Sequence, residues 1–336
     1  MRYRVAINGF GRIGRMIIRA FLEQKIKNFD IVAINDLGSV DDHAHLLTYD
    51  SVHGRLNHTV SIDQGDLCVN AHRFKILCDK DPSSLPWKNL GIDMVMECSG
   101  RFTTKDQALL HCNNDQGAKR VIVSAPCDRA DITVVYGINH RDISDTHQII
   151  SNGSCTTNCL VPLVKALDDA LTVECGYMTT INAYTGDQRL VDSYHKDLRR
   201  ARAAAHSMIP TTTGAAKSVS LILPHLKGKL DGTAIRVPTM NVSALDFVFT
   251  TRQEVSVDVI HNIILKAQQT YVGILSTTNE PLVSCDFNHD PHSCIVDLSQ
   301  IQTVGPHMGR VLAWYDNEWG FSNRMIDTVN FIALQH

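Results

Sequence analysis

The sequence predicts an α/β protein with two domains: a doubly wound parallel sheet first, then an α+β domain on a mixed or antiparallel sheet. Three observations support this prediction. Buried strands alternate with amphipathic helices in the first half, a glycine-rich turn follows the first strand, and longer strands with few helices follow residue 171. We place the domains at residues 1–151 and 152–317 and expect the terminal helix, from about residue 318, to pack back on the first domain.

The composition is that of an ordinary globular chain. Its 336 residues are 44% hydrophobic and 20% charged, with a net charge of −3, which does not favour binding to nucleic acid or a membrane surface. No signal-peptide pattern or membrane-length apolar run appears, so we expect a cytoplasmic protein. The ten cysteines are then expected to be reduced thiols, and no Cys or His spacing predicts a metal site.

The first strand, 4–7, leads into the sequence G-x-G-x-x-G at Gly9, Gly11 and Gly14. Apolar residues from Ile13 onward recur at helical spacing, so a helix is expected to begin at the end of this turn. Strand, glycine turn and helix in this order are typical of a Rossmann-type dinucleotide site. The glycines let the backbone approach a diphosphate at the helix N-terminus.

A second strand, 31–36, ends at Asp36, 22 residues after Gly14. A carboxylate there can accept hydrogen bonds from ribose hydroxyls and repels a 2′-phosphate, so the pattern favours NAD over NADP. An ordinary turn aspartate is the alternative. Asn8, Arg12 and Ile13 complete the predicted cofactor turn.

Two further strands of the first half end in small residues. The strand 94–98 ends at Ser99 and Gly100, and the strand 120–123 ends at Ser124. Ligands bind at the carboxyl edge of a doubly wound sheet, so these residues are candidate cofactor contacts, with plain turn residues as the alternative. The polar stretch 50–56 reads as a loop to which we assign no chemistry.

The segment 151–159 carries the clearest chemical signal. An apolar stretch precedes it and a helical pattern follows, so Cys155 is expected on the first turn of a helix at the domain junction. Free N–H groups and the positive end of the helix dipole favour an anion there, and a cysteine thiolate is a nucleophile. The alternative is a helix capped by Ser154 or Thr156 with a packed cysteine beside the cap.

The second half predicts mostly strands. The segment 176–185 alternates in part, and 235–251 and 281–287 read as β structure. The exceptions are two helices, for which the following residues lie on apolar faces: Val257, Ile260, Ile264 and Ala267 in the first, and Met325, Val329 and Ile332 in the terminal one.

Five blocks together resemble the phosphorylating glyceraldehyde-3-phosphate dehydrogenases. They occupy residues 7–15, 154–159, 210–217, 235–239 and 314–320. The resemblance is collinear from residue 4 to about residue 330, and the related erythrose-4-phosphate dehydrogenases share most of these blocks. It implies a reaction in which the Cys155 thiolate attacks an aldehyde, a hydride passes to NAD, and inorganic phosphate cleaves the resulting thioester.

The resemblance also implies roles for other residues. Thr185 and Arg236 resemble part of the site for the substrate phosphate. The site for the attacking phosphate is matched by Ser154, Thr156, Thr213 and Gly214, with Arg200 nearby. Asn317 matches the residue that bonds the nicotinamide carboxamide, and Phe321 matches an aromatic wall, with a core position of the terminal helix as its alternative. The family is typically a homotetramer, which would place residues 184–209 between subunits.

One departure from the family pattern is expected to matter. Where the family has a general-base histidine, in a Thr-Thr-x-His context, this chain has Asn182. An amide donates a hydrogen bond but takes no proton, so we expect reduced activity and a Cys155 pKa near that of a free thiol, lowered mainly by the helix N-terminus. His195 and His206 are the nearest other histidines, and packing or surface roles are favoured for both.

The sequence leaves the substrate and the function class open. Thr185 with Thr213 and Gly214 favours the three-carbon aldehyde, whereas 192–195 and 286–293 look more like the erythrose-phosphate branch. Residues 193–194 depart from the usual NAD-specific pair, which leaves some NADP use open. An engineered variant, a slow natural enzyme and an NAD-binding paralogue with little or no catalysis all remain alternatives; we favour an enzyme with a weakened base.

Overall fold

The computed structural model describes residues 2–112 and 115–336. These residues form two compact units, Met1–Gly153 with Ser322–His336, and Ser154–Phe321. In chain order the helices and strands are β1 (Tyr3–Asn8), α1 (Arg12–Gln24), β2 (Phe29–Asn35), α2 (Val40–Thr48), β3 (Tyr49–Asp50), β4 (Gly54–Arg55), β5 (Val60–Asp63), β6 (Asp66–Val69), β7 (His72–Leu77), β8 (Met94–Glu97), α3 (Lys105–Ala108), β9 (Arg120–Val123), β10 (Ile132–Thr133), β11 (Ile149–Ser151), α4 (Cys155–Leu171), β12 (Val173–Ala183), β13 (Ile209–Thr211), α5 (Ala215–Ile222), β14 (Leu230–Val237), β15 (Ser243–Thr251), α6 (Val257–Thr270), β16 (Leu275–Thr278), β17 (Cys294–Val304), β18 (Met308–Tyr315) and α7 (Trp319–Ala333).

The first unit is built, within the described residues, on a nine-stranded sheet in the order β10-β11-β9-β8-β1-β2-β7-β6-β5. Pairing is parallel from β10 to β7 and antiparallel across β7, β6 and β5. The chain leaves β1 toward β2 on one side and returns to β8 on the other, so the strand order reverses at β1. Such a switch point opens a crevice at the carboxyl edge. The predicted doubly wound parallel sheet is confirmed.

Helix α1 forms because apolar residues recur on one face, and Met16, Ile17 and Phe21 are buried. The helix ends at Lys25, which adopts a left-handed backbone with φ of 51° and donates its N–H to the Leu22 carbonyl. This packing fixes the N-terminus of α1 at the carboxyl end of β1.

The stretch 50–56 is a short β3–β4 hairpin rather than a featureless loop. Asp50 pairs with Arg12 at the start of α1. The buried Arg19 guanidinium donates to the carbonyl oxygens of Leu47 at 2.8 Å and Gly54 at 2.9 Å. The hairpin therefore fastens α1 through two arginines two helical turns apart, a packing role that the sequence did not indicate.

The second unit is built, among the residues described, on a seven-stranded mixed sheet in the order β13-β14-β12-β15-β18-β17-β16. The β12–β14 and β16–β17 pairs are parallel, and the others are antiparallel. The predicted α+β domain on a mixed sheet is confirmed.

Of two strand predictions in this unit, 235–251 is confirmed apart from a break, and 281–287 is wrong. The segment 235–251 is interrupted between Val237 and Ser243: Pro238 has no N–H to donate, and Val242 adopts a φ of 66°. The segment 281–287 contains a 3₁₀ turn at Ser284–Phe287, because the Asp286 carboxylate accepts a 2.8 Å hydrogen bond from the Val283 N–H and closes the chain locally.

The helices of the second unit also differ in detail from the prediction. Helix α5 was not predicted, and Val257 is exposed at the start of α6, while Ile260, Ile264 and Ala267 are buried. The division between the units falls inside α7, whose residues from Ser322 onward group with the first unit. Within the described residues no helix combines the length and apolarity needed to cross a membrane.

Candidate functional site

Cys155 is the first residue of α4. The residue before it, Ser154, caps the helix: its Oγ accepts the Thr157 N–H at 3.0 Å. The apolar face behind Cys155, including Leu160 and Leu163, is fully buried and anchors the helix, whereas Cys155 itself is half-buried. The thiol therefore lies on a fixed, capped first turn.

The pKa of the Cys155 thiol differs from the one expected from the sequence. Burial raises the pKa of Cys155, and it outweighs the opposing effects of the Arg236 charge and of hydrogen bonds from Thr156 and the first-turn backbone. The expected value near a free thiol, held down by the helix N-terminus, is therefore corrected to a raised pKa. The Arg236 cation is the strongest of the influences that favour the thiolate.

Asn182 lies near the end of β12, in register with Arg236 on β14. Its amide oxygen accepts two hydrogen bonds, one from the Thr180 hydroxyl and one from the Tyr315 hydroxyl at 3.1 Å. Because both donors meet the oxygen, the Nδ2 donor of the amide is directed away from them.

Tyr315 connects this amide to the nucleophile's helix. Its hydroxyl lies 2.9 Å from Thr156 Oγ1 and 2.8 Å from Thr180 Oγ1. Burial raises the pKa of Tyr315, so the phenol stays protonated and acts as a hydrogen-bond bridge. Sequence analysis did not predict this role, although Tyr315 belongs to the 314–320 block.

Arg236 and Thr185, predicted together as anion ligands, are brought together. The Arg236 Nη1 donates to the Ala183 carbonyl at 3.2 Å and lies 3.4 Å from Thr185 Oγ1. Burial lowers the pKa of Arg236, and the proximity of Cys155 opposes that change. Its Nε is buried with no hydrogen-bond partner among the described residues, an unsatisfied donor that suits an anion-binding side chain.

Arg200 is held by its own loop. It donates to Thr211 Oγ1 at 3.0 Å and to the Asp187 carboxylate at 2.9 Å. Its charge is nevertheless close enough to Arg236 to contribute to lowering that residue's pKa. The two arginines therefore lie within electrostatic reach of each other, with the Arg200 charge also paired with Asp187 and Asp197.

The remaining predicted phosphate ligands make local contacts. Thr156 is buried with its hydroxyl on Tyr315, and Ser154 caps α4. Thr213 Oγ1 accepts the Ala215 N–H at 3.2 Å, and Gly214 begins α5 with open space on its Cβ side. In the part of the chain that the structure describes, no hydrogen bond joins these four residues to Arg200.

Neither spare histidine is placed as a replacement base. His195 is buried in its loop, where Nδ1 accepts the Asp197 N–H at 2.9 Å, and His206 is exposed. Among the described contacts neither reaches Cys155. The favoured packing and surface roles fit these positions.

The three glycines of the turn in the first unit differ in the space available for a side chain. A Cβ on Gly9, at a φ of 94°, would lie 2.4 Å from the Ser99 nitrogen, and a Cβ on Gly14 would lie 2.3 Å from the Gly9 carbonyl oxygen. A Cβ on Gly11 would meet nothing within 4 Å. Gly9 and Gly14 are therefore required by the fold, whereas Gly11 borders open space.

The start of α1 fits a dinucleotide diphosphate. Gly11 provides no side-chain cap and no acidic residue lies in the first turn, so the positive end of the helix dipole suits an external anion. Ile13 is half-buried in this turn. The Arg12 guanidinium is held by Asp50, which places its charge against the hairpin.

Asp36 lies directly after β2 and supports the turn. Its Oδ2 accepts the Phe10 N–H at 2.7 Å and its Oδ1 accepts the Gly38 N–H at 2.9 Å. The side chain remains partly exposed, so its lone pairs are accessible at the carboxyl edge. It is thus more than an isolated turn aspartate.

Asn8 and Ser99 share a partner that the sequence did not reveal, the buried carboxylate of Glu97. Gly100 follows Ser99 with a φ of 70°, and the Ser124 N–H donates to the Glu97 carbonyl at 2.9 Å. An acidic residue inside the apolar run 94–98 was the available signal.

The last two predicted cofactor residues belong to the second unit. Asn317 Oδ1 accepts the Ser243 hydroxyl at 2.9 Å. Phe321 is buried, as expected for a core position, which was the alternative to a role as an aromatic wall of the cofactor site.

Comparison with known proteins identifies relatives along the whole chain. Residues 3–105 match the family model "Glyceraldehyde 3-phosphate dehydrogenase, NAD binding domain", and residues 154–317 match "Glyceraldehyde 3-phosphate dehydrogenase, C-terminal domain". Glyceraldehyde-3-phosphate dehydrogenases of Xanthobacter flavus and Cereibacter sphaeroides are each 54% identical over 329 residues, covering 98% of both chains. Glyceraldehyde-3-phosphate dehydrogenase 2 of Bacillus subtilis is 47% identical over 338 residues, covering 100% of this chain and 98% of its own.

Proposed function

This chain belongs to the glyceraldehyde 3-phosphate dehydrogenase family and carries its NAD-binding domain, and from that premise we propose that it oxidises glyceraldehyde 3-phosphate to 1,3-bisphosphoglycerate with NAD and inorganic phosphate. The observation that carries the proposal is the grouping of Cys155 on the first turn of α4 with the Arg236 cation close enough to shift its pKa. A nucleophilic thiol beside a fixed cation is the arrangement that aldehyde attack requires.

NAD, when bound, supplies the hydride acceptor. We assign its diphosphate to the start of α1 beside Gly11 and its adenosine ribose to Asp36. The other assigned contacts are Asn8, Gly9, Arg12, Ile13, Gly14, Ser99, Gly100, Ser124, Asn317 and Phe321.

The reaction begins with the Cys155 thiolate. Its sulfur adds to the aldehyde carbon, and the carbonyl oxygen takes the negative charge. The Asn182 amide nitrogen is the donor we assign to that oxygen, since its own carbonyl is held by Thr180 and Tyr315. Loss of hydride then leaves an acyl thioester on Cys155, which inorganic phosphate cleaves to release the acyl phosphate and regenerate the thiolate.

Two anion sites serve this chemistry in the proposal. Arg236 and Thr185 bind the phosphate of the aldehyde, and Ser154, Thr156, Thr213 and Gly214, with Arg200, bind the attacking phosphate. The support is that Arg236 lies beside Thr185 with a buried unsatisfied Nε, and that the Arg200 guanidinium lies within electrostatic reach of Arg236.

The amide at Asn182 is the reason for which we expect a low turnover rate. An amide cannot accept the proton that the Cys155 thiol must lose to become the attacking thiolate, so water must take it. General-base catalysis typically contributes about 10²–10⁴-fold, so the chain is proposed to be a slow enzyme rather than an inactive one. The reaction is a step of glycolysis, and a free nucleophilic thiol suits the reducing cytoplasm.

We also propose a homotetramer in which the segment 184–209 lies between subunits. Large apolar side chains there are mostly exposed in the single chain: Leu190 at 83%, Tyr194 at 88% and Leu198 at 81%. Apolar side chains concentrated in one surface segment are typical of protein interfaces. Light scattering of the purified protein tests the subunit number.

The test of the proposed function is NADH formation by the purified chain with each aldehyde, each nicotinamide cofactor, and with or without phosphate. We expect phosphate-dependent NADH formation that prefers NAD and glyceraldehyde 3-phosphate and is abolished in Cys155→Ser. A higher kcat/KM with erythrose 4-phosphate would assign the substrate to the other branch. Tight NAD binding without turnover at high protein concentration would identify a binding protein.

A further inference from the structure

We propose that Glu97 is a positioning residue for NAD binding: its buried carboxylate holds Asn8 and Ser99, which together fix the conformation of the glycine turn. The inference rests on the proposed placement of NAD at the Gly9–Gly14 turn. Everything that it uses lies within the first unit.

The Glu97 carboxylate is 1% exposed and accepts hydrogen bonds on both oxygens. Oε2 accepts from Asn8 Nδ2 at 2.6 Å and is 3.0 Å from His111 Nε2. Oε1 accepts the Ser99 N–H at 2.7 Å and also the Ser99 hydroxyl. Four donors thus converge on one buried side chain at the carboxyl end of β8.

The direction of the histidine bond follows from Trp87. An indole Nε1–H only donates, and it lies 3.1 Å from His111 Nδ1, so Nδ1 is the acceptor and the ring proton lies on Nε2, pointing at Glu97. Trp87 and His111 are both fully buried. The result is a directed chain of hydrogen bonds from Trp87 through His111 to Glu97.

Only a carboxylate satisfies this arrangement. A glutamine has one carbonyl oxygen and one NH₂ group, so the NH₂ must face either the Asn8 and His111 donors or the two Ser99 donors. In either orientation the glutamine NH₂ faces a buried N–H donor instead of an acceptor. Such a mismatch leaves buried donors without a hydrogen bond and costs binding or folding free energy. The negative charge is therefore required by the four donors around it.

Two of the residues that donate to Glu97, Asn8 and Ser99, lie on the two sides of the glycine turn. Asn8 precedes Gly9, and Gly9 packs so closely on Ser99 that a Cβ would lie 2.4 Å from the Ser99 nitrogen. The Gly9 N–H donates to the Asn35 carbonyl at 2.8 Å, and the Asn35 amide in turn donates to Asn8 Oδ1 at 2.7 Å. A shift of Ser99 or Asn8 therefore moves Gly9 and the N–H groups that follow it.

The test compares Glu97→Gln with Trp87→Phe. Glu97→Gln is expected to raise the NAD dissociation constant, measured by calorimetry, and the KM for NAD by about 10-fold, the equivalent of one lost buried hydrogen-bond match. Its kcat at saturating NAD should change much less, because Cys155 and Asn182 are untouched. Trp87→Phe removes the far end of the chain but leaves all four donors on Glu97, so it should lower the melting temperature and leave NAD affinity unchanged.

An unchanged NAD dissociation constant in folded Glu97→Gln overturns the inference, and so does an equal loss of affinity in Trp87→Phe. If Glu97→Gln does not fold, Glu97→Asp takes its place, because it keeps the charge but is one methylene too short to hold Asn8 and Ser99 together. Several-fold weaker NAD binding in Glu97→Asp supports the inference, and unchanged binding refutes it. Absence of NAD binding by the unmodified chain would instead refute the proposed function.

Discussion

Replacing Asn182 with histidine is expected to make this chain a faster enzyme. The amide oxygen of Asn182 accepts hydrogen bonds from Thr180 and Tyr315. One imidazole nitrogen can donate its N–H to the Tyr315 hydroxyl oxygen and leave the lone pair of the other nitrogen for the thiol proton, which it can then present to the substrate oxygen. The variant would then supply the proton acceptor that the asparagine side chain lacks.

The size of the effect follows from the groups around Cys155. Burial raises the pKa of this thiol and Arg236 only partly opposes it, so the thiolate is the minor form at neutral pH. An added imidazolium within about 4–6 Å lowers a neighbouring acidic pKa by about 1–3 units, which increases the thiolate fraction at neutral pH. Base catalysis adds on the order of 10²-fold or more in kcat, or about 2.7 kcal/mol of barrier.

Two assays measure these changes. The rate of Cys155 alkylation by iodoacetamide, followed by mass spectrometry across a pH series, should reach its midpoint at lower pH in Asn182→His than in the unmodified chain. Steady-state NADH formation should rise in the same variant. Asn182→Ala is the matched control: it removes the amide donor without adding a base, so kcat should fall and the alkylation midpoint should stay in place. If Asn182→His changes neither assay, the role assigned to this position is wrong.

Three further outcomes are expected. Gly11→Ala should keep the melting temperature of the unmodified chain and weaken NAD binding, whereas Gly14→Ala should lower the melting temperature, since only the second Cβ meets protein atoms; equal melting temperatures would contradict this. Burial alone would raise the pKa of Asp50, but hydrogen bonds from Arg12 and the His53 and Val52 N–H groups lower it to about 2. Asp50 then stabilises the fold by about 2 kcal/mol above pH 5, and this contribution is lost as the pH falls through 4 toward 2. Urea unfolding should show Asp50→Asn less stable at pH 7, with a difference that shrinks below pH 4, and a difference independent of pH would contradict the assignment. Leu198→Glu should reduce the oligomer mass measured by light scattering, and an unchanged mass would remove residue 198 from the proposed interface.

Local signals predicted much of the fold. The glycine spacing and the helical repeat after it identified the β1–α1 turn, because both are set by backbone sterics and local periodicity. The break at Pro238 was missed because the segment around it is rich in β-forming residues, although proline has no N–H for a strand hydrogen bond. The 3₁₀ turn at Ser284–Phe287 was missed because it depends on a single hydrogen bond between the Asp286 carboxylate and the backbone. Helix α5 was missed because its eight residues make little more than two turns, too few to establish a helical repeat.

Some residues of the candidate site were likewise predicted from the sequence, and others became evident only in the structure. Cys155 was predicted from its position at a helix start, and Asn182 and Arg236 were predicted from the family resemblance. Tyr315 and Glu97 were not found, because their roles depend on partners distant in sequence: Tyr315 bonds Thr156, 159 residues away, and Glu97 bonds Asn8, 89 residues away. The raised pKa of Cys155 likewise depends on burial, which the helix-start pattern alone does not determine.

The most direct test of the central claim is a single-turnover experiment without phosphate. Glyceraldehyde 3-phosphate and NAD mixed with the purified chain should yield one NADH per Cys155 and then stop, with the acyl group attached to Cys155 in the mass spectrum. Adding phosphate should release that group and restart NADH formation. NADH formation that persists in Cys155→Ser, or a burst that leaves no adduct on Cys155, would contradict the mechanism.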